Sequence, residues 1–513
     1  MPYRSLNEPV ENFRRVLLEK YKWLTGSLKG NPSQERAFAL VYNDYTSWFE
    51  TSTGVQYPVT MSLSQLLLAK GGRCEEGCIL INSIMKSLGI KSAIDHTPHW
   101  ANRNLNHFWV VFPGEGFPPE FIDNDKILKK HDYLQSAQFV INGPGVKYIS
   151  DKSIEVQNRK KAAKVTRSTF EVNNDNIFNY NKEFNEEIPG EINDAYKKDV
   201  TNEYLACYDI EIGTNEAVDN KISYLCLFDL QGWYPVDWGK INNNKLHFKS
   251  IGADVLYFPT VYKQGRHEVI APPFILMNGG NIKNINTGKG KNKLMIIKRK
   301  YPLFGNILNY ANLLYGGKIQ GANTRDFSDA EDIYVIDFTP LTMHEAAING
   351  SNKYRFLRYL PNDTTYGDIA ELAFYYKDKK GNEAKAQGEM VYRYDGKLSR
   401  SASSAFDGNI NSYYRSDIKN TWIGIDLGQG NEKAIVKVKF CPRTDANFII
   451  PGQKYELFFW DKSGWEPLGK KTAVKYELEY LNTPKKALFW LHCLSRGVEE
   501  RPFTYEYGKQ VWW

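Results

Sequence analysis

Apolar residues recur every three to four positions only in the first hundred residues of this chain. In "VENFRRVLLEKYKWL" the residues Val10, Phe13, Val16, Leu17, Tyr21 and Leu24 share one stripe, and in "SQERAFALVYNDYTSWF" the same spacing joins Ala37, Leu40, Val41, Tyr45 and Trp48. Both patterns predict amphipathic helices. A third is expected to start near Cys74, because Cys78, Ile81, Met85 and Leu88 continue the spacing until Gly89 stops it. Beyond Gly89 the period falls to two. "HFWVVF" (107–112) and "EFID" (120–123) flank a Pro/Gly loop and predict an antiparallel hairpin. Helices followed by sheet make an α+β unit.

Residues 150–198 are charged and rich in Asn, which suggests a connecting arm, and the remainder reads almost wholly as strand and turn. One echo recurs there. "YLCLFDLQGWYP" (224–235) and "YELFFWDKSGWEP" (455–467) share an aromatic strand, an Asp-containing turn and Gly-Trp-x-Pro, as tandem β-sandwiches built from similar hairpins would. The expected architecture is multidomain, an α+β domain followed by all-β sandwich modules. Its expected boundaries are 1–165 for the first domain, 166–197 for the arm, 198–304 for a β-rich domain, 305–395 for a sandwich and 396–513 for a second sandwich.

Composition sharpens this picture in three places. The 513 residues exceed what one core holds. Aromatic residues make up 14%, with 33 Tyr and 12 Trp, which favours strands and flat stacking surfaces. The net charge of +7 is spread without a Lys/Arg block, so nucleic acid is not an expected partner. No run of about 18 apolar residues predicts a transmembrane segment, and the first residues lack the pattern of a secretory signal. The six cysteines (74, 78, 207, 226, 441 and 493) are too scattered for a disulfide framework.

Candidate chemistry centres on "GGRCEEGC" (71–78). A cysteine attacks as thiolate, and a helix N-terminus with a partner imidazole lowers its pKa. Cys74 stands at the expected helix start after Arg73, whose charge would help, whereas Cys78 continues the apolar stripe. His107 opens a strand that puts His107, Trp109 and Val111 on one face, and a third group must orient the ring. In the hairpin, His107 is opposite Asp123 if the turn centres on Glu115, and opposite Asp125 if it centres on Gly116. Cys74 and Cys78 with His96 and His99 are also acceptable zinc ligand types.

"GRCEEGCILINSIMKSLGIKSAIDHTPHWANRNLNHFWVVF" resembles the transglutaminase-like superfamily of papain-like cysteine hydrolases. The resemblance implies a nucleophile at Cys74, a base at His107 and an orienting acid at Asp123, with Asp125 in reserve because "DND" replaces the usual small polar pair. "RCEE" in place of an aromatic after the cysteine points to the hydrolytic branch of proteases, amidases and peptide N-glycanases. Acyl transfer is then expected, needing no cofactor, with Trp100 walling the acyl pocket. Transfer to a lysine acceptor would use the same residues. An extracytoplasmic location, periplasm or cell surface, is also implied by the resemblance alone.

"SSAFDGNINSYYRSDIKNTWIGIDLGQGNEKAIVKVKFCPR" resembles discoidin, or galactose-binding-like, sandwiches. That resemblance implies a structural calcium at Asp407 and Asn409, with Glu506 as a further ligand, and a glycan surface using Tyr413, Tyr414 and Trp460. A plain Asp-Gly turn and core aromatics are the bland readings of the same residues. Peptide, glycoprotein or glycan is the expected partner. A non-catalytic glycan-binding protein on a degenerate hydrolase scaffold is the alternative.

Overall fold

The computed structural model describes residues 12–29, 33–51, 61–112, 120–123, 126–129 and 149–513, apart from 193, 216, 286, 363–364, 394–397, 401, 417–418, 420, 463 and 497–498. The first unit carries helices α1 (Phe13–Tyr21), α2 (Leu24–Ser27), α3 (Gln34–Trp48), α4 (Leu63–Ala69) and α5 (Cys74–Ser87). Their stripes meet in one core, where Phe13, Leu17 and Tyr21 join Ala37, Val41, Tyr45, Cys78, Ile81 and Met85. Val16, on the flank of its stripe, is exposed.

Helix α4 is too short to have shown a period. A capping box sets it: Ser62 Oγ accepts from the Gln65 N–H at 3.2 Å, and Gln65 Oε1 accepts from the Ser62 N–H at 2.8 Å. Helix α5 ends as expected. Gly89 takes the left-handed conformation (φ 77°), with Ile90 N–H on the Met85 carbonyl and Gly89 N–H on that of Lys86, which is a Schellman closure.

Strands β1 (Ala93–Thr97), β2 (His107–Val111), β3 (Glu120–Asp123), β4 (Lys126–Lys129), β5 (Thr166–Ser168) and β6 (Lys197–Asp199) form an antiparallel sheet in the order β4-β3-β2-β1-β5-β6. The segment expected to be an arm therefore borders and closes the first domain's sheet. Alternation along β2 sends Phe108 and Val110 into the helical core, while Trp109 and Val111 meet Trp100, Val165, Val200 and Tyr204 on the other face.

Next comes a module of β7 (Cys207–Gly213), β8 (Ile222–Asp229), β9 (Gly232–Asn242), β10 (Lys245–Gly252), β11 (Val255–Lys263), β12 (Phe274–Leu276) and β13 (Ile282–Asn284), ordered β7-β10-β9-β8-β11-β12-β13. A last module pairs β14 (Gly288–Ile297) with β17 (Leu478–Lys485). Its other strands are β15 (Lys454–Asp461), β16 (Gly464–Thr472), β18 (Leu488–Cys493), β19 (Phe503–Glu506) and β20 (Lys509–Trp512), in the order β16-β15-β18-β19-β20.

A sandwich lies between β14 and β15 in the chain. One of its sheets takes Glu389–Tyr392 and Ile423–Asp426 together, and the other takes Ile369–Lys377 and Lys433–Pro442. Leu357, Leu372, Ile423 and Val438 share its core. The break expected at 395/396 thus falls inside one sandwich, because alternation reveals a strand but not its partner. The break expected at 304/305 also differs, since β14 belongs with residues 454–512.

Candidate functional site

The octapeptide "GGRCEEGC" can be accounted for residue by residue. Gly71 and Gly72 pair in parallel with Glu50 and Thr51. A Cβ on Gly72 would stand 2.8 Å from Glu76 Cβ, so only glycine passes the helix this closely. Arg73 is the extended N-cap residue. Glu76 accepts from its backbone N–H at 3.0 Å and from its guanidinium at 2.9 and 3.2 Å, with the carboxylate 0% exposed. This gives a partner to an N–H at the helix start and buries an ion pair there. A Cβ on Gly77 would meet Tyr45 Oη at 2.4 Å, and Cys78 lies in the helical core.

Cys74 is the first residue of α5 and is half-buried. Burial pushes its thiol pKa above the ordinary value; hydrogen bonds from the backbone of Phe108 and Glu75 oppose this, and the Glu75 and Glu76 carboxylates add to it. Arg73 does interact electrostatically with Cys74, but Glu76 holds the guanidinium at 2.9 Å and Glu75 lies 3.6 Å from it, so the help expected from Arg73 does not offset burial. The resting sulfur is therefore a thiol.

His107 begins β2, one residue before the Phe108 amide that reaches Cys74. Its ring packs beside Trp100 (centroids 6.2 Å apart) and Trp109 (5.7 Å), two members of the core on the face away from the helices. Burial, then the charges of Lys160 and Arg103, lower its pKa to about 3. A neutral imidazole is the form a general base requires. Trp100 is only 2% exposed, so it orients His107 and offers no open wall to an acyl group.

Strands β2 and β3 pair with Val111 opposite Phe121, the register of a turn centred on Gly116. On the sequence argument this favours Asp125 over Asp123; Asp125 lies outside the described residues, and only the backbone of Asp123 is described. The described carboxylate on the Trp109 face is Asp95, opposite Trp109 in the ladder. Arg167 donates to both its oxygens at 2.7 and 2.8 Å, Tyr204 Oη donates to it, and Trp109 Nε1 donates to Tyr204 Oη at 2.9 Å. Sequence reasoning missed this network, although Asp95 is a lone carboxylate in the strand "AIDHT".

The two histidines expected as acceptable zinc ligands are instead buried in other contacts. His96 sits in β1 beside Thr166 Oγ1 at 3.1 Å and stacks on Phe108. His99 engages the Trp100 carbonyl through Nδ1 at 2.6 Å and Asp229 through Nε2 at 3.0 Å. Among the described residues no set of three His, Cys, Asp or Glu side chains is grouped to hold a metal.

In the sandwich, Tyr414 is 0% exposed and its hydroxyl donates to Thr421 Oγ1 at 3.0 Å, so it is core rather than a sugar platform. Trp460 belongs to the last module, is 3% exposed, and donates from Nε1 to the Lys462 carbonyl. Tyr413 is half-buried under the Arg443 guanidinium, 4.2 Å from its ring centre. Asp407 accepts from the Asn409 N–H at 2.8 Å and from Ser412 Oγ at 2.8 and 3.0 Å. Glu506, expected to join them, bonds instead to Lys283 and Thr504 at the end of β19. The carboxylate beside Asp407 is Glu371, 6% exposed, with Oε1 buried and lacking a hydrogen-bond partner. Burial, then a hydrogen bond with Asp407 and its charge, raise the Glu371 pKa to about 7.

No helix among the described residues is long and apolar enough to cross a membrane. No protein-family model matches the chain. No curated protein matches it either. Three solved structures of LapG from Legionella pneumophila are similar to part of it. The EGTA-treated form is 22% identical, covering 23% of this chain and 68% of that one with a TM-score of 0.19. A second structure is 22% identical over 23% and 70%, with a TM-score of 0.19. The calcium-bound form is 23% identical over 23% and 70%, with a TM-score of 0.18.

Proposed function

We propose that this chain is a cysteine-dependent amide hydrolase of the transglutaminase-like kind, acting on a peptide or glycopeptide outside the cytoplasm. The observation that supports it most is the thiol at the first position of α5, held by the amide of the strand residue next to His107. On this reading His107 leaves its indole stack and takes the Cys74 proton as the sulfur attacks the amide carbon. The tetrahedral oxyanion is met by backbone N–H groups at the helix start. The amine departs with the proton from His107, and water cleaves the thioester to restore the thiol. Resting thiol and neutral imidazole mean that proton transfer accompanies attack rather than preceding it. Release of amine from a pool of peptide and glycopeptide amides is expected with the wild type. Cys74→Ala and His107→Ala should each lower it at least about a hundredfold; release that survives both substitutions would refute the assignment.

A second reading is a glycan-binding protein on a hydrolase scaffold. It is favoured by the raised thiol pKa and by the ring's place between two indoles. Glycan-array binding that persists in Cys74→Ala, with no amine release from the wild type, would support it.

For the sandwich, Asp407, Asn409 and Glu371, in place of Glu506, are the proposed calcium ligands. The unpartnered buried oxygen of Glu371 fits a cation that prefers oxygen donors, and backbone carbonyls would complete the shell.

A further inference from the structure

The two β modules are copies of one unit. A shift of 232 positions carries Asp229, Gly232, Trp233 and Pro235 onto Asp461, Gly464, Trp465 and Pro467. Both hairpins interrupt their ladder at the same place, between Leu225 and Cys226 and between Leu457 and Phe458. Both carry a left-handed residue at the same two later points, Ser250 and Asn482, then Asp254 and Lys486. The residue types differ at those points, so a common backbone path explains the match.

The copies also meet reciprocally. Phe228 contacts Trp465 with ring centroids 6.2 Å apart, and its counterpart Trp460 contacts Trp233 at 5.8 Å. This is the pattern of a two-fold interface, formed here inside one chain. Each hairpin tip therefore has a twin. Phe274 and Phe503 pair with the equivalent Tyr257 and Phe489, which sets Pro272 at the place of Arg501. Ile212 and Ile297 likewise pair with the equivalent Leu246 and Leu478.

At the first tip the site is filled. His99 bonds to Asp229 at 3.0 Å, and the Arg103 guanidinium lies 5.9 Å from the Phe304 ring and acts electrostatically on Arg501 and Tyr301. The loop 98–105 of the first domain plugs it. At the second tip Trp460, Asp461, Pro272 and Asp219 line an open cleft of about 730 Å³. Val218, Val269 and Ile270 add apolar wall, and Glu268 adds a further acid. Where the filled site has Arg501, the open one has Pro272. Three carboxylates, Asp219, Glu268 and Asp461, line it beside two lysines, Lys263 and Lys462, and the buried arginine of the filled site has no counterpart there.

We infer that the cleft beside Asp461 is a docking site for a polypeptide loop bearing a basic side chain, in the manner of loop 98–105 at its twin. The inference does not depend on chemistry at Cys74. A synthetic peptide of residues 97–106, with a photo-cross-linking residue in place of Trp100, tests it on the full chain at about 1 mM. Labelling is expected within 261–272 and 460–462. It should fall at least about tenfold for the Arg103→Glu peptide and for the chain variants Asp461→Lys and Glu268→Lys, with thermal midpoints showing that both variants fold. Labelling that is absent from the cleft, or indifferent to these charge reversals, would overturn the inference. So would cleft labelling that soluble oligosaccharides displace and unlabelled peptide does not.

Discussion

Cys74 and Cys78 stand one helical turn apart in different surroundings. Cys78 is sealed among Ile81, Tyr45 and their neighbours, as the apolar stripe required, while Cys74 opens the helix where an amide of β2 reaches it. That contrast was legible in the spacing. The fate of the Arg73 charge was not, because it depends on Glu76 turning back to pair with it. The same limit hid Glu371, whose partner Asp407 is 36 positions away and near it only in the folded chain. With its pKa raised to about 7, Glu371 binds a proton in the folded state that it would have lost unfolded above about pH 4.5. Its contribution to stability is therefore present at pH 5 and lost as pH rises through 7. Glu371→Gln should stabilise the protein at pH 8 and change little at pH 5, by thermal unfolding at the two values. Calcium should raise the wild-type midpoint at pH 8 and leave that of Glu371→Gln unchanged. Equal pH dependence in both proteins would remove the buried-acid assignment.

At the scale of elements, the long helices α1, α3 and α5 followed from their periods, and β2 from its alternation. Helix α4 did not, since seven residues carry too few repeats and its capping box is a local signal. The start of α5 depends on close approach. Tyr45 is stacked on Phe49 with centroids 4.8 Å apart and bonded to Thr51, so it has little freedom to yield to a Cβ on Gly77. Gly77→Ala should cost about 1–3 kcal/mol in urea unfolding, as overpacked cores do. Tyr45→Phe, which removes the colliding oxygen, should recover part of that loss in the double variant. A neutral Gly77→Ala would mean that the helix start has slack.

The whole molecule is where sequence reading failed most plainly, and the reason is topological. The echo between 224–235 and 455–467 marked two copies of one module, but the second copy is interrupted after β14 and resumes at β15. A linear division into successive domains does not represent that. The chain leaves and returns at one place: Arg299 bridges Phe448 and the Lys300 N–H donates to the Asn447 carbonyl at 3.0 Å. Replacing 305–444 with a Gly/Ser linker of about six residues should thus leave a protein with one cooperative unfolding transition. Loss of that transition would show that the sandwich is integral to the module rather than inserted in it.

The proposed pairing of Cys74 with His107 is tested most directly by the rate of iodoacetamide labelling of each cysteine, followed by mass spectrometry across pH 5–9 in the wild type and in His107→Ala. Cys74 should label at least about tenfold faster in the wild type than in His107→Ala at pH 7, rising with pH and without a thiolate plateau at acid pH, while Cys78 stays unmodified in both. Equal rates at Cys74 in the two proteins would mean that the imidazole does not serve the sulfur, and the hydrolase assignment would fall.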